Sequence, residues 1–292
     1  MLQDDQLLFL INDYVFSQAE DTQDNVTSDP PNEQSSSQDI EAMRAMIQAL
    51  TKEEGGASDG YYFESYSSLA IHEVMLRDEP RTRGYRDAIA ALDLSGRVVM
   101  DVGCGTGVLS LFAARSGASR VVGIERGAIA REAGRIVQLN RMENVVSVLQ
   151  GRVEDLQLPD LEGQVDVLVS EWMGYGLYFE NMLPSVLAAR DRFLKPEGVL
   201  VPRTCSLCLQ ALTFSTEEDR VLFWRNVYGL DMSPLTGLLV EEAQVQLCQQ
   251  SEVCSSRETV HTFDIKSLDE DELDFADDFS VVRLPLNSLK IE

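Results

Sequence analysis

The stretch Arg97-Val-Val-Met-Asp-Val-Gly-Cys-Gly-Thr-Gly107 joins an apolar run to a turn that contains three glycines. The run is typical of a strand buried in a parallel sheet, and residues 108–116 after the turn are predicted to form a helix. A ligand is expected against such a turn. The spacing is G-x-G-x-G and the turn has no lysine, so it matches neither the dinucleotide fingerprint nor the P-loop.

Two further apolar runs place acidic residues at strand ends. The run Arg120-Val-Val-Gly-Ile124 ends in Glu125, where a carboxylate can accept hydrogen bonds from both hydroxyls of a ribose. A nucleoside without a required phosphate is therefore the implied cofactor. The run Val165-Asp-Val-Leu-Val169 delivers Glu171 to the carboxyl edge of the predicted sheet, where open α/β sheets bind ligands.

A pair of glutamates brackets the segment Glu171-Trp-Met-Gly-Tyr-Gly-Leu-Tyr-Phe-Glu180. A guanidinium group is always charged, is planar, and has five N–H donors in fixed directions, which two carboxylates can satisfy. Two desolvated carboxylates repel each other and raise an apparent pKa unless such a cation is bound. The pair therefore indicates a site that holds a guanidinium group beside a bound cofactor.

Charge and composition exclude several classes of protein. The 292 residues include 24 basic and 49 acidic side chains, a net charge of −25, which opposes nucleic-acid binding and favours basic protein partners. Five cysteines are a sparse, odd set that indicates reduced thiols in a cytosolic or nuclear protein, without a zinc site. Neither a secretory signal nor the roughly 20 apolar residues of a membrane helix is expected.

Together, these motifs resemble the class I S-adenosylmethionine-dependent methyltransferases, and specifically the protein arginine N-methyltransferases, from about Tyr61 to about Phe279. The chain is most similar to the type I branch, which makes monomethyl and asymmetric dimethyl arginine, and within it to the cytosolic member that carries an N-terminal zinc finger. The resemblance implies S-adenosyl-L-methionine as cofactor and arginine/glycine-rich proteins, such as histones or RNA-binding proteins, as substrates. It also implies a homodimer in the cytoplasm, with the nucleus as a second location.

The same resemblance implies roles for individual residues. Catalysis falls to Glu171 and Glu180, and no metal is implied. Arg81 would pair with the methionyl carboxylate, for which its planar fork is suited, and Glu125 would bind the ribose hydroxyls. The implied cofactor-binding residues are His72, Met75, Arg81, Asp101, Gly103, Gly105, Glu125, Val153, Glu154 and Met182. The aromatic segment 62–66 would form a lid over the cofactor.

Four segments are expected along the chain. An acidic, largely disordered segment covers residues 1–38, helices and the cofactor lid cover 39–84, and a Rossmann-like α/β domain that binds S-adenosylmethionine covers 85–198. An antiparallel β-barrel substrate domain covers 199–292, with a helical dimerisation arm at about 217–239. The acidic run at 269–278 is predicted to be a solvated loop.

The sequence also departs from the pattern of the family that it resembles. The barrel is expected to be incomplete, the zinc finger is missing, and the family's Thr-His-Trp loop has no counterpart, which would leave Asp78 without the histidine that its equivalent pairs with. A fragment, an isoform and an incomplete gene model are all consistent with these departures.

Three functions remain open at this stage. The first is an arginine methyltransferase, and the second is a catalytically impaired form that binds cofactor or dimerises with a full-length enzyme as a regulator. The third is a small-molecule methyltransferase that shares only the α/β domain, which the paired glutamates disfavour. Each residue, taken singly, also has a purely structural interpretation. Glu125 could be an ordinary surface acid, Arg81 could be a salt-bridge partner, and His72 could be a hydrogen-bonded residue of a helix.

Overall fold

A computed structural model describes residues 8–11, 69–212, 222–241 and 252–283. Before residue 69 the structure describes only a strand at 8–11. The predicted disordered segment, the predicted helix and the predicted aromatic lid otherwise lie outside the described residues. The chain divides into two compact units. The larger comprises Tyr14–Ser206 and Thr262–Ala276, and the smaller comprises Met1–Asp13, Leu207–His261 and Asp277–Glu292.

The described residues of the two units form the following strands and helices. The strands are β1 (Leu8–Ile11), β2 (Val98–Val102), β3 (Arg120–Glu125), β4 (Val146–Gln150), β5 (Val165–Val169), β6 (Leu194–Val201), β7 (Thr204–Leu212) and β8 (Glu258–Asp264). The helices are α1 (Leu69–Arg77), α2 (Glu79–Ala90), α3 (Val108–Arg115), α4 (Ala130–Leu139), α5 (Leu183–Phe193) and α6 (Thr236–Glu241). None of these helices is long and apolar enough to cross a membrane.

A five-stranded parallel sheet is the centre of the larger unit. Its order is β4-β3-β2-β5-β6, and every neighbouring pair is parallel. The central strands are buried on both faces, as their nearly unbroken apolar sequences predict. Because the strands are parallel, the residues that follow β2, β3 and β5 lie at the same edge of the sheet. The predicted Rossmann-like α/β fold is confirmed.

Strand β6 differs from the sequence expectation. The run Val199–Val201 is predicted to begin the antiparallel body, but it pairs parallel with Val167–Val169 of β5 and completes the large sheet. The physical reason is its burial, since consecutive apolar residues suit a strand that is covered on both faces. Three apolar residues are too few for the sequence to distinguish this arrangement from an antiparallel strand.

Helix α2 is fastened to the carboxyl edge of the sheet by a buried tyrosine. Tyr85 is 1% exposed, and its hydroxyl donates a hydrogen bond to the carbonyl oxygen of Ser170 at 2.9 Å. Ser170 in turn donates from its hydroxyl to the carbonyl oxygen of Val102 at 2.7 Å. Asp78 caps the same helix by accepting from the backbone N–H of Arg81. These contacts hold the first turn of α2 beside the end of β5.

The segment Thr262–Ala276 is anchored within the larger unit. The guanidinium group of Arg190 on α5 donates to the carbonyl oxygens of Ile265 and Leu268, at 2.5 and 2.6 Å. Lys266 donates to the carbonyl oxygen of Gly198 at 2.9 Å. The side chain of Ile265 is completely buried. The acidic run that begins at Asp269 is therefore attached to a packed segment, although its composition suggests only a solvated loop.

The smaller unit contains a three-stranded sheet with the order β1-β7-β8, in which β1 pairs antiparallel with β7. The predicted arm is described from residue 222. Residues 222–225 are helical, a turn follows at Tyr228 and Gly229, both with positive φ, and α6 comes after it. The arm predicted at about 217–239 is therefore not one continuous helix, because the left-handed backbone at 228 and 229 cannot continue a helix.

Candidate active site

The glycine turn after β2 adopts a shape that requires glycine. Gly103, Gly105 and Gly107 have φ of 73°, 51° and 82°, in the left-handed region that other residues enter only at a cost. The backbone N–H groups of Gly103 and Cys104 both donate to the carbonyl oxygen of Ile124, at 2.8 and 3.0 Å. The turn is thereby fixed against the end of β3.

Two of these glycines also allow side chains to approach the turn closely. A β-carbon at Gly103 would overlap the terminal methyl of Met182, and one at Gly105 would lie 3.4 Å from Cε1 of His72. His72 is buried on α1, and Met182 precedes α5. The structure therefore brings together four of the residues that the sequence assigns to the cofactor: His72, Gly103, Gly105 and Met182.

Glu125, at the end of β3, is oriented by backbone donors. Its Oε2 accepts from the N–H of Gly105 at 2.9 Å, and its Oε1 accepts from the N–H of Gly127 at 2.6 Å. An ionised carboxylate has about four acceptor positions, so two remain for ligand hydroxyls. This arrangement fits the ribose role that the resemblance implies.

Val153 and Glu154 follow β4 at the same edge. Val153 is buried, and the hydroxyl of Ser185 on α5 donates to Oε1 of Glu154 at 2.5 Å. Burial acts to raise the pKa of Glu154, but this hydrogen bond and the nearby Arg152 guanidinium together hold it below its ordinary value. Glu154 therefore remains an ionised acceptor. Met75, the remaining predicted residue on α1, is half-buried, and its carbonyl oxygen accepts from Thr82.

Asp101 lies in β2, two residues before Gly103 of the glycine turn. It is fully buried within β2, and the hydroxyl of Ser110 on α3 donates to its Oδ2 at 2.6 Å. Its Oδ1 has no hydrogen-bond partner among the described residues. Burial raises the pKa of Asp101 to about 7.

Arg81 forms an ion pair with one of the two predicted catalytic residues. Its Nη1 lies 3.0 Å from Oε2 of Glu171, and its Nε lies 3.6 Å from Oδ2 of Asp78. Asp78, which the sequence leaves without a histidine partner, thus caps α2 and contacts Arg81. A single guanidinium group therefore connects α2 with the segment that follows β5.

The Glu171 carboxyl group lies in an environment that disfavours its ionised form. Burial raises the pKa of Glu171 to about 7, against the lowering effect of the Arg81 cation, and the charge of Glu180 adds to the rise. Its Oε1 is buried and accepts no hydrogen bond within the part of the chain that the structure describes. The carboxylate therefore has one oxygen available for a second cationic donor.

The loop between Glu171 and Glu180 folds back on itself. The N–H of Leu177 donates to the carbonyl oxygen of Gly174 at 3.0 Å, and Leu177 and Asn181 have positive φ although neither is glycine. A β-carbon at Gly174 would lie 2.6 Å from Cγ of Glu180. Gly174 is thus the residue that allows the backbone to pass close to the second glutamate.

Some residues that shape the site carry no local sequence signal. Tyr85, Ser110, Ser170 and Ser185 each hold a site element through a side-chain hydrogen bond. Only Tyr85 could have been suspected, since it lies four residues after Arg81 and hence on the same face of α2. Across the described ranges there is no group of three or more side chains suited to hold a metal ion.

Comparison with known proteins agrees with this geometry. A family profile described as methyltransferase domain matches residues 100–201, and a second, described as arginine methyltransferase oligomerization subdomain, matches residues 203–284. The first defines the class, and the parallel sheet with its glycine turn and acidic strand ends fits it. The fold and the site are those of an S-adenosylmethionine-dependent methyltransferase.

Individual relatives define the family within that class. Protein arginine N-methyltransferase 1 of Dictyostelium discoideum is 39% identical over 241 residues, which are 82% of this chain and 70% of that protein. Protein arginine N-methyltransferase 1 of Chlamydomonas reinhardtii is 41% identical over 221 residues, which are 75% of this chain and 64% of that protein. The chain thus spans about two thirds of the length of these relatives. It belongs to the protein arginine N-methyltransferase family.

A solved structure extends the match to three dimensions. The Trypanosoma brucei PRMT1 enzyme-prozyme heterotetrameric complex with AdoHcy aligns with a TM-score of 0.69 and 38% identity, covering 72% of this chain and 67% of that one. The cofactor of the family is S-adenosyl-L-methionine, and the residues here fit it. The three left-handed glycines form a cradle that β-carbons would fill, and the Glu125 carboxylate stands at its rim.

Gly103→Ala is expected to weaken S-adenosylmethionine binding by about tenfold or more, because the added methyl group displaces Met182 from the turn. Gly96→Ala is a matched control. Gly96 has φ of 72°, as against 73° for Gly103, but a β-carbon there would meet no atom within 4 Å. Calorimetric titration with the cofactor should therefore show an unchanged Kd for the control. Equal weakening in both variants would contradict the role of the Met182 contact.

The raised pKa of Glu171 predicts a pH dependence of stability. Its pKa is about 7 in the folded chain and ordinarily 4.5, so between these values the folded chain binds more protons than the unfolded chain. The free energy of unfolding should therefore fall as the pH rises through this window. Glu171→Gln should flatten the fall, measured by urea denaturation, whereas Glu143→Gln removes an exposed charge and should not. Burial also raises the pKa of Asp101 to about 7, so Asp101 adds the same pH dependence of the free energy of unfolding to the wild type and to both variants. Identical slopes in all proteins would refute the assignment.

Proposed function

We propose that this chain transfers methyl groups from S-adenosylmethionine to the guanidinium nitrogens of arginine residues in arginine/glycine-rich proteins, giving monomethyl and asymmetric dimethyl arginine. The observation that carries the proposal is the Glu171 carboxylate. It already binds one guanidinium group, that of Arg81, through Oε2, and its Oε1 is buried without a partner among the described residues. A second guanidinium group is the ligand that best matches this vacant acceptor.

The two glutamates would hold the substrate cation between them. A bidentate or bridging contact with carboxylates restricts the rotation of a planar guanidinium group, so one nitrogen can be aligned for attack. The positive charge of the substrate also offsets the repulsion between Glu171 and Glu180, which contributes to the raised pKa of Glu171. Substrate binding is therefore expected to favour the ionised form of the pair.

Methyl transfer needs little more from the protein than orientation and charge. Bound S-adenosylmethionine supplies an electrophilic methyl group on a sulfonium sulfur. The paired carboxylates stabilise the guanidinium charge and aim the nucleophilic nitrogen, which forms the new N–C bond as the S–C bond breaks. The nitrogen then releases a proton. The ionised pair of glutamates then offers a carboxylate oxygen as the acceptor for this proton.

The charge of the chain supports basic protein segments as substrates. Acidic residues exceed basic residues by 25, so the chain attracts polycations over long distances and repels nucleic acid. Glycine next to the target arginine would let the backbone of a substrate approach a narrow site, since glycine has no side chain.

Glu180→Gln is expected to lower kcat for methyl transfer by about 100-fold or more while leaving cofactor affinity unchanged, because one of the two carboxylates that align the guanidinium group is lost. The assay follows label from S-adenosylmethionine into an arginine/glycine-rich peptide, and mass spectrometry of the product distinguishes asymmetric from symmetric dimethyl arginine. Glu197→Gln, at an exposed position of β6, is the matched control.

The outcomes of this assay separate the open functions. Methyl transfer by the wild type and by Glu197→Gln, together with its loss in Glu180→Gln, supports the proposal. Cofactor binding without transfer by the wild type would contradict it and favour the non-catalytic regulatory form. Parallel loss of cofactor binding in Glu180→Gln would contradict the assignment of Glu180 to the substrate.

Exposed apolar side chains in the predicted dimerisation arm support the proposal that the chain forms a homodimer. Leu222 is 53% exposed, Leu230 is 61% exposed and Tyr228 is fully exposed, although such residues are usually covered. They lie in the stretch that matches the oligomerization subdomain. We expect these side chains to be buried against a second copy of the chain.

Leu230→Asp is expected to convert a dimer to a monomer in sedimentation velocity measurements, because a buried aspartate without a partner opposes association. Leu230→Met keeps an apolar side chain of similar volume at the same position and should leave the dimer intact. A monomeric wild type, or dissociation in both variants, would contradict the proposed role of the arm.

A further inference from the structure

An aromatic cluster lies behind the loop that carries the two glutamates. The ring of Tyr178 packs between Phe263 and Phe275, with ring centroids 5.9 and 6.2 Å apart. Phe263 also contacts Trp172, the residue after Glu171, with a centroid distance of 6.4 Å. These distances fall within the range in which aromatic rings attract each other. Two residues of the catalytic loop thus share one buried partner, Phe263, which is 6% exposed.

We infer that Phe263 and Phe275 are positioning residues for the proposed methyl transfer, because they hold the loop that carries Glu171 and Glu180 in its reactive shape. The ring contacts described for Phe263 and Phe275 are with Trp172 and Tyr178 of the loop. Their role is exerted through Trp172 and Tyr178. The inference rests on the function proposed above, since it concerns the same two glutamates.

The loop needs such support because its backbone is strained. Leu177 and Asn181 have φ of 65° and 49°, in the left-handed region, which asparagine enters readily but leucine rarely adopts. A backbone of this kind persists only when surrounding contacts determine it. The loop's backbone hydrogen bonds, such as that from the N–H of Asn181 to the carbonyl oxygen of Tyr178, are local. Side-chain contacts connect the loop with the rest of the unit: Arg81 binds Glu171, Cys205 contacts Met173, and the aromatic cluster holds Trp172 and Tyr178.

The rings are themselves held by a rigid segment. Between Phe263 and Phe275 the chain is anchored by the hydrogen bonds from Arg190 to Ile265 and Leu268, and Ile265 is completely buried. The capping box of Asp269 and Glu272 then fixes the short 3-10 helix Glu270–Leu273 that leads to Phe275. Contacts with α5 therefore fix this segment and its two rings, and the rings in turn fix the loop that carries the two glutamates.

Phe275→Ala tests the inference. We expect kcat for methyl transfer to fall about tenfold or more, because small displacements of groups that orient a substrate have large effects on rate. The Kd for S-adenosylmethionine should change less than about twofold, since the glycine turn and Glu125 do not contact the cluster. Phe275→Tyr, which keeps the ring, should retain the wild-type rate. Phe279→Ala removes another phenylalanine ring, 41% exposed, and serves as the matched control.

Amide hydrogen exchange gives a second readout that does not need activity. In Phe275→Ala, exchange should become faster in the peptide that covers residues 171–182 and remain unchanged in the peptides that cover β2 and β3. If Phe275→Ala does not fold, Phe275→Leu takes its place, because it fills most of the volume without an aromatic ring.

These readouts separate the inference from the proposed function. If the wild type transfers no methyl group, the proposed function fails, while faster exchange confined to residues 171–182 still shows that the cluster holds the loop. Unchanged exchange in this loop would overturn the inference. So would a fall in cofactor affinity that parallels the fall in kcat, because it would indicate a general loss of structure.

Discussion

The contact between the Arg81 guanidinium and the partly buried carboxylate of Glu171 is the interaction on which the rest of the site depends. It connects α2 with the residue that follows β5, and it places a cation beside a carboxyl group whose ionisation burial opposes. Without that cation, a second carboxylate nearby would drive Glu171 further toward its neutral form. Tyr85, one turn further along α2, holds the helix against the sheet edge through Ser170. The pair is thus maintained by packing and not only by charge.

Much of this arrangement can be predicted from local sequence. The glycine turn, the strand-ending Glu125 and the bracketing glutamates are each contained in a short stretch, and the parallel sheet brings the strand ends together. The family, the fold class and the cofactor are confirmed by the comparisons. The zinc-finger-bearing branch, the segment boundaries and the cellular location stay predictions.

The remainder depends on contacts between distant residues, which periodicity does not encode. Val199–Val201 joins the parallel sheet because β5 lies beside it, and nothing within three apolar residues specifies that neighbour. The acidic run after Asp269 has the composition of a solvated loop, yet Phe275 within it packs on Tyr178, which is far earlier in the sequence. Arg81 is predicted to bind a ligand carboxylate, whereas the structure also gives it Glu171 as a partner. Such contacts arise only when the whole unit has folded.

The close approach of Met182 to Gly103 has a consequence for how these sequences can vary. The two residues lie in different motifs, one in the cofactor turn and the other before α5, yet they fill one small volume. A residue with a β-carbon at position 103 would displace the terminal methyl of Met182, so positions 103 and 182 are expected to vary together among related sequences. The residue that can precede α5 is thus linked to the absence of a side chain in the glycine turn after β2.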